Sequence, residues 1–295
     1  MKKVLNLALA FIITAVFVAC SNDDNTEVTT GDLTIDLTGL EELGSDYVYE
    51  GWLIVDGNPV STGTFTSVSF PQTYTVDIND LQTATTFVLS IEPAGEIGEA
   101  ALTPAATKIL VGDFSGSSAS VSSTGIVGDF SNSWGKYILA TPTDDDDTNE
   151  ASGVWFLDNT NAPTVVTGLG LPTLTEGWKY EGWVVLNGVP VSTGTFSAVD
   201  ATDDNAATSP YKGSIGNGPG FPGEDYVIGA AAGINFPTDL KGATIVISVE
   251  PSPDNSSAPF TLKPLEDVVP VDAMNHSVIN MSAGPIKVLT GSVTR

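Results

Sequence analysis

An internal repeat constrains this chain more than any other feature of it. Tyr49-Glu50-Gly51-Trp52 recurs as Tyr180-Glu181-Gly182-Trp183, and Pro59-Val60-Ser61-Thr62-Gly63-Thr64-Phe65 recurs unchanged over 190–196, each 131 positions later. Ser90-Ile91-Glu92-Pro93 corresponds to Ser248-Val249-Glu250-Pro251 at a spacing of 158, and Lys108-Ile109-Leu110-Val111-Gly112 to Lys287-Val288-Leu289-Thr290-Gly291 at 179. One domain is duplicated, and the widening spacing predicts loop insertions in the second copy near 200–230 and 252–285.

The repeated segments have the chemistry of strands and turns. In each copy a β-branched, apolar run meets a turn dipeptide, Asp56-Gly57 or Asn187-Gly188, and a second extended run follows. Asp-Gly and Asn-Gly supply the positive φ angles of a tight hairpin. Residues 85–91 and 243–249 read as further strands, and 137–139 with 154–157 as a hairpin around a long acidic loop. No stretch sustains a helical apolar period over three turns. The fold class expected is all-β, two tandem β-sandwich (Ig-like) domains. Copy one is placed at 31–121, a linker at 122–133 and copy two at 134–295.

Residues 1–19 begin with Lys2 and Lys3, continue in an apolar run over 4–18 and close on Ala19, the parts of a secretory signal. Cys20, the only cysteine, follows at once, and Phe17-Val18-Ala19-Cys20 resembles a bacterial lipobox. The expectation is cleavage before Cys20, lipidation of its thiol, and a flexible tether over 20–30 rich in Ser, Asn, Asp and Thr. The partner so implied is a membrane, held through the lipid. Ser21 beside the lipidated cysteine and acids beyond it look like the export signals of Bacteroidota-type lipoproteins, which places the protein in the cell envelope, on the periplasmic or surface face of the outer membrane.

A chain with 10 Lys+Arg against 36 Asp+Glu, a net charge of −26, repels phosphate backbones, so nucleic acid is not an expected partner. With Cys20 acylated no thiol remains for a disulfide or a thiolate metal site. Stability must come from the hydrophobic core. Tyr49, Trp52 and Phe65, with Tyr180, Trp183 and Phe196, are expected as repeated structural anchors of that core.

The repeated pattern resembles the C-terminal, extracytoplasmic domain of anti-sigma-K factors, in which the corresponding segments run Tyr-x-Leu-Trp-Leu-(Ile/Val), Gly-x-Pro-Val-x-Ala-Gly-x-Phe and Val-(Ser/Thr)-(Val/Ile)-Glu-Pro. The likeness covers roughly 31–121 and 134–295. It implies an outer sensory domain, but the family's sigma-binding domain and membrane helix have no counterpart here. Direct sigma-factor binding is therefore not expected.

Catalytic sets are missing from the sequence. The one histidine, His276, reads as an isolated loop imidazole, and there is no Gly-x-Ser-x-Gly elbow or His-Glu-x-x-His. No catalytic residue and no resident cofactor are expected. Glu50, Glu92, Glu181 and Glu250 recur with the duplication and read as turn-bracing groups, with a carboxylate-based glycan-active enzyme as the lesser alternative. Asp144, Asp145, Asp146 and Asp147 form the densest run of oxygen ligands, either a solvated loop or a cation site, calcium being the ion such a run would take. The first insertion mixes glycines, acids and aromatics and is the candidate ligand loop, with Tyr211, Lys212, Phe221, Glu224, Asp225 and Tyr226 as its contact residues. The function expected is a non-catalytic binding or spacer module for a protein or glycan; the alternative is an extracytoplasmic sensor acting through a separate membrane partner.

Overall fold

The computed structural model describes residues 28–231, 233–253, 256–285 and 289–295. Cys20, the signal and Lys287-Val288 lie outside them. The first unit comprises β1 (Thr30–Thr38), β2 (Tyr47–Val55), β3 (Asn58–Phe65), β4 (Gln72–Asp77), α1 (Ile78–Thr83), β5 (Thr86–Pro93), β6 (Lys108–Ser115) and β7 (Ser118–Ser122). The helix is a single capped turn and a half, with Asp77 accepting from the Asn79 and Asp80 amides, too short to leave a periodic signature.

The second unit begins with β8 (Trp134–Leu139) and β9 (Gly153–Trp155), followed by the short strands β10 (Leu157–Asp158), β11 (Val166–Thr167) and β12 (Leu169–Gly170). Then come β13 (Trp178–Leu186), β14 (Val189–Phe196), β15 (Gly223–Asp225), β16 (Ala230–Ala231) and β17 (Ile234–Asn235). The last strands are β18 (Thr244–Pro251), β19 (Leu265–Val268), β20 (Ile279–Ala283) and β21 (Thr290–Thr294). The all-β, two-unit architecture read from the sequence is the one observed.

Both predicted hairpins form, with Asp56 and Asn187 at φ 51° and 53°, each followed by a glycine near +80°. The pairing is identical in the two copies: Tyr49 faces Phe65 and Tyr180 faces Phe196, and each ladder has a bulge at the Gly-Trp step. One face of the central strands builds the core. Tyr49 stacks on Phe65 at 5.4 Å and Tyr180 on Phe196 at 5.5 Å, while each tyrosine hydroxyl donates to a carbonyl eight residues upstream, Glu41 or Pro172. All six repeated aromatic anchors are buried.

The opposite face is buried too, and it explains the repeated polar residues. Trp52 Nε1 donates to Ser90 Oγ at 2.8 Å, Ser90 donates to Glu92, and the Ala105 amide closes over the same carboxylate at 2.8 Å. In the second unit Trp183, Ser248, Glu250 and the Phe260 amide repeat the arrangement at the same distances. Ser61 donates to Glu50, and Ser192 to Glu181. These carboxylates satisfy buried donors beside an indole that would otherwise be left unpaired.

The sheet orders are β3-β2-β5-β6-β7-β21-β1-β4 and β14-β13-β18-β19-β20-β8-β9-β15. The correspondence corrects two expectations. First, Lys108–Ser115 has its counterpart in β19, not in 287–291: Leu110 pairs with Leu89 as Leu265 pairs with Ile247. The β5–β6 and β18–β19 connections are nearly equal in length, so the second insertion is the loop 269–278, where the first unit has only the turn at Gly116 and Ser117. Second, copy two does not extend to 295. Strand β21 joins the first sheet, between β7 and β1, with Val293 opposite Ala119 on one side and Ile35 on the other. It fills the seat that β8 occupies in the second sheet. Physically, Val293 and Leu289 are fully buried there, and Arg295 donates to the Leu81, Ala84 and Gly116 carbonyls while its guanidinium lies 4.2 Å from the Phe114 ring centre.

The two units share one continuous hydrophobic core. Phe130, in the 122–133 segment, packs edge-on against Tyr180, Trp178 Nε1 donates to the Lys108 carbonyl, and Thr261 donates to the Gly39 carbonyl.

Candidate binding site

Among the described residues the second unit has a cavity of about 410 Å³ at the β8–β9 end. Its floor is Trp155 with Ile138 and Ala140, part of a small separate apolar cluster that also holds Leu157 and packs against Phe221 and Val278. Its walls come from the two insertions. Residues 215–219 of the first, Ile215-Gly216-Asn217-Gly218-Pro219, form one side, and His276 of the second stands at the other with Glu150 and Pro142. The volume falls within the range of small-molecule sites.

Each wall is fixed from beneath. Trp155 Nε1 donates to Asp225 Oδ1 at 2.7 Å, and the Thr143 amide donates to Asp225 Oδ2 at 2.7 Å, so one buried carboxylate holds the indole and the β8–β9 connection together. Gly218, at φ 77°, lies flat on the indole: a Cβ there would stand 2.0 Å from Trp155 Cη2. Ile215 N donates to the Thr143 carbonyl at 2.8 Å, and Lys212 Nζ to the Gly216 carbonyl at 2.6 Å. On the other wall His276, at φ 61°, donates its amide to the Leu139 carbonyl and pairs its Nε2 with Glu150 Oε2 at 3.1 Å. Glu150 also accepts from the Thr141 amide. The isolated imidazole expected from the sequence thus has a carboxylate partner, Glu150, at the mouth of a cavity.

The candidate ligand residues are distributed differently from the expectation. Tyr226 is fully buried and donates to the Ser192 carbonyl at 3.0 Å, and Tyr211, Tyr226 and Phe236 form an aromatic cluster with ring centres 5.0 to 5.9 Å apart. Glu224 and Asp225 are 3% and 0% exposed. Phe221 packs beneath the cavity. Glu224, Asp225 and Tyr226 are therefore inward anchors of the loop rather than exposed contacts, because they find partners in the β-scaffold, whereas Tyr211, Lys212 and Phe221 are half-buried. The cavity face was carried by their neighbours at 215–219.

Burial raises the acids that do this work. Asp203 and Asp225 are pushed up to about 6 and Glu224 to about 8, mainly by desolvation, with Asp203 and Asp225 adding repulsion on Glu224 and Asp144 on Asp225. Asp203 accepts from the Gly223 amide at 3.1 Å.

The acidic run lies in the β8–β9 connection, beside the cavity. Asp144 accepts from the Asp146 amide and from Asn149 Nδ2, and Asp146 from Thr148, so these carboxylates organise their own turn. Among the described residues no group of three or more histidine, cysteine or acidic side chains is placed to hold a metal ion. Among them, too, no helix is long and apolar enough to cross a membrane.

Comparison with protein families matches residues 15–108 to the model described as Anti-sigma-K factor rskA, C-terminal. This region, which includes β1 to β5, is similar to an RskA-type domain; the match covers less than half of the chain. The curated proteins and the solved structures gave no match.

Proposed function

We propose that this chain is a lipid-anchored envelope protein acting as a non-catalytic binding module, in which the first unit is the scaffold and the insertion-built end of the second holds the ligand. The observation that carries the reading is the cavity over Trp155, formed where two loops absent from the first copy meet. Its lining supports a binding role: six of the residues are apolar or proline, and the polar side chains are few. The anchor rests on Cys20 and the apolar run before it.

A second reading is supported by the family match at 15–108: an extracytoplasmic regulatory domain that passes ligand occupancy to a separate membrane partner. The two readings share the cavity and differ in what it reports to.

Two measurements test the proposal. Cys20→Ala should move the protein from the membrane to the soluble fraction and abolish incorporation of labelled palmitate; retention with label would remove the anchor. Gly218→Val, which drives a side chain into the Trp155 ring, should abolish capture of envelope components by the purified chain while thermal unfolding shows a folded protein. Unchanged capture would move the site away from this cavity. Crosslinking that recovers a regulatory membrane protein from cells would favour the second reading.

A further inference from the structure

The cavity's lining and the charges around it narrow the ligand chemistry, on the footing that this cavity is the binding site. Its apolar part is a slot walled by Ile215 and Pro219 over a floor of Ile138, Ala140 and an indole whose N–H is already committed to Asp225. The polar part is one-sided. Glu150 stands at the rim at 17% side-chain exposure, and the connection that supplies it also carries Asp144 through Asp147. The neighbouring cation on the insertion, Lys212, is turned onto the Gly216 carbonyl. His276 faces Glu150 from the opposite wall, as the group an incoming donor would displace or share. Glu150 and the four aspartates of its connection outnumber Lys212, the one lysine bonded to the lining, so the local charge favours a cation.

We infer that the cavity binds a protonated amine carried on an apolar stem, the stem lying in the slot over Trp155 and the ammonium donating to Glu150. Such a group reaches the site either as a free small amine or as the lysine side chain of a peptide; both present the same head and stem. An anionic ligand would meet Glu150 with a like charge, and a neutral donor would make only the weaker, uncharged hydrogen bond to it.

Calorimetric titration of the full chain in nonionic detergent tests this, with phenethylamine, 2-phenylethanol and 3-phenylpropionate as probes of one shape and three charges. The amine should bind at least tenfold more tightly than the alcohol, and the propionate should give no heat. Glu150→Gln should reduce amine affinity about tenfold and leave the alcohol unchanged, whereas His276→Ala, which frees Glu150, should leave amine affinity equal or higher. An acetylated, amidated Gly-Lys-Gly peptide binding more tightly than the free amine assigns the lysine source; the reverse order assigns the small amine.

Propionate binding as well as the amine, or Glu150→Gln leaving the amine unchanged, overturns the inference. If no probe binds and Gly218→Val still abolishes capture of envelope components, the ligand class is wrong and the binding-module reading stands. If Gly218→Val changes neither, both fail.

Discussion

In the first unit β6 turns into β7 through Gly116 and Ser117, whereas the corresponding strands of the second, β19 and β20, are separated by residues 269–278, which carry His276 across to Leu139 and Glu150. The seat beside β7 differs as well. It is taken by β21 from the far end of the sequence, while the second sheet supplies β8 from just before its own β9. The central strands of the two units are superposable in pairing, in aromatic stacking and in the Trp-Ser-Glu relay. Divergence is thus concentrated beyond the repeated central strands: one copy seats the last strand of the chain there, and the other builds a cavity from lengthened loops. A duplicated scaffold permits this because the hairpin and relay fix the core, leaving loops on the rim free to lengthen at small entropic cost.

The largest effect expected from breaking this asymmetry is at β21. Val293→Asp places an unpaired carboxylate in a fully buried position and should destabilise the protein by about 3 kcal/mol or more, read as a shift in the urea midpoint. A shift below about 1 kcal/mol would mean that the first sheet closes without its last strand.

The next is pH. Asp203, Asp225 and Glu224 have folded values above their ordinary ones, so the stability they confer is complete below about pH 4 and is lost as pH rises through 6 and 8. Denaturation between pH 5 and 9 should reveal a loss of at least about 2 kcal/mol, reduced by Glu224→Gln. A flat profile in the parent protein would show that the acids of the second unit are solvated.

The relay offers a closer comparison. Trp52→Phe and Trp183→Phe each remove an indole that donates to a buried serine, and each should cost about 1–3 kcal/mol, equal between the units to within roughly 0.5 kcal/mol. Costs differing by more than 1 kcal/mol would show that the equivalence is one of sequence only. Least of all, His276→Ala should change stability by about 0.5 kcal/mol or less, because its side chain is 58% exposed. A larger loss would make the pair a structural clamp on the cavity wall.

How much of this was legible in the sequence follows the range of the interactions. The hairpins were readable because Asp56-Gly57 and Asn187-Gly188 specify their turns locally, and the aromatic anchors because the duplication marks them twice. The hairpin between β8 and β9 was readable for a similar reason, being two apolar runs around an acidic loop. Strand β21 was misplaced because 287–291 looks like 108–112, and pairing of Ile35 with Val293 depends on no local signal. The acids of the first insertion looked like surface contacts because nothing in Glu224-Asp225-Tyr226 reveals that Thr143 and Trp155 wait as donors 70 or more residues away. The cavity itself was half legible. The insertion was recognised, but its working face, Ile215 to Pro219, is mostly glycine and proline and carries no chemical label.

The position of β21 has a consequence in time. In chain order β1 precedes its partner by some 250 residues, so until the last strand is available the first sheet has β7 and β1 unjoined. An edge of that kind is open to pairing with other chains, and its closure is a late, long-range event of the slow sort. The unit made first is therefore finished last, and premature termination anywhere in the second copy leaves the first one incomplete as well.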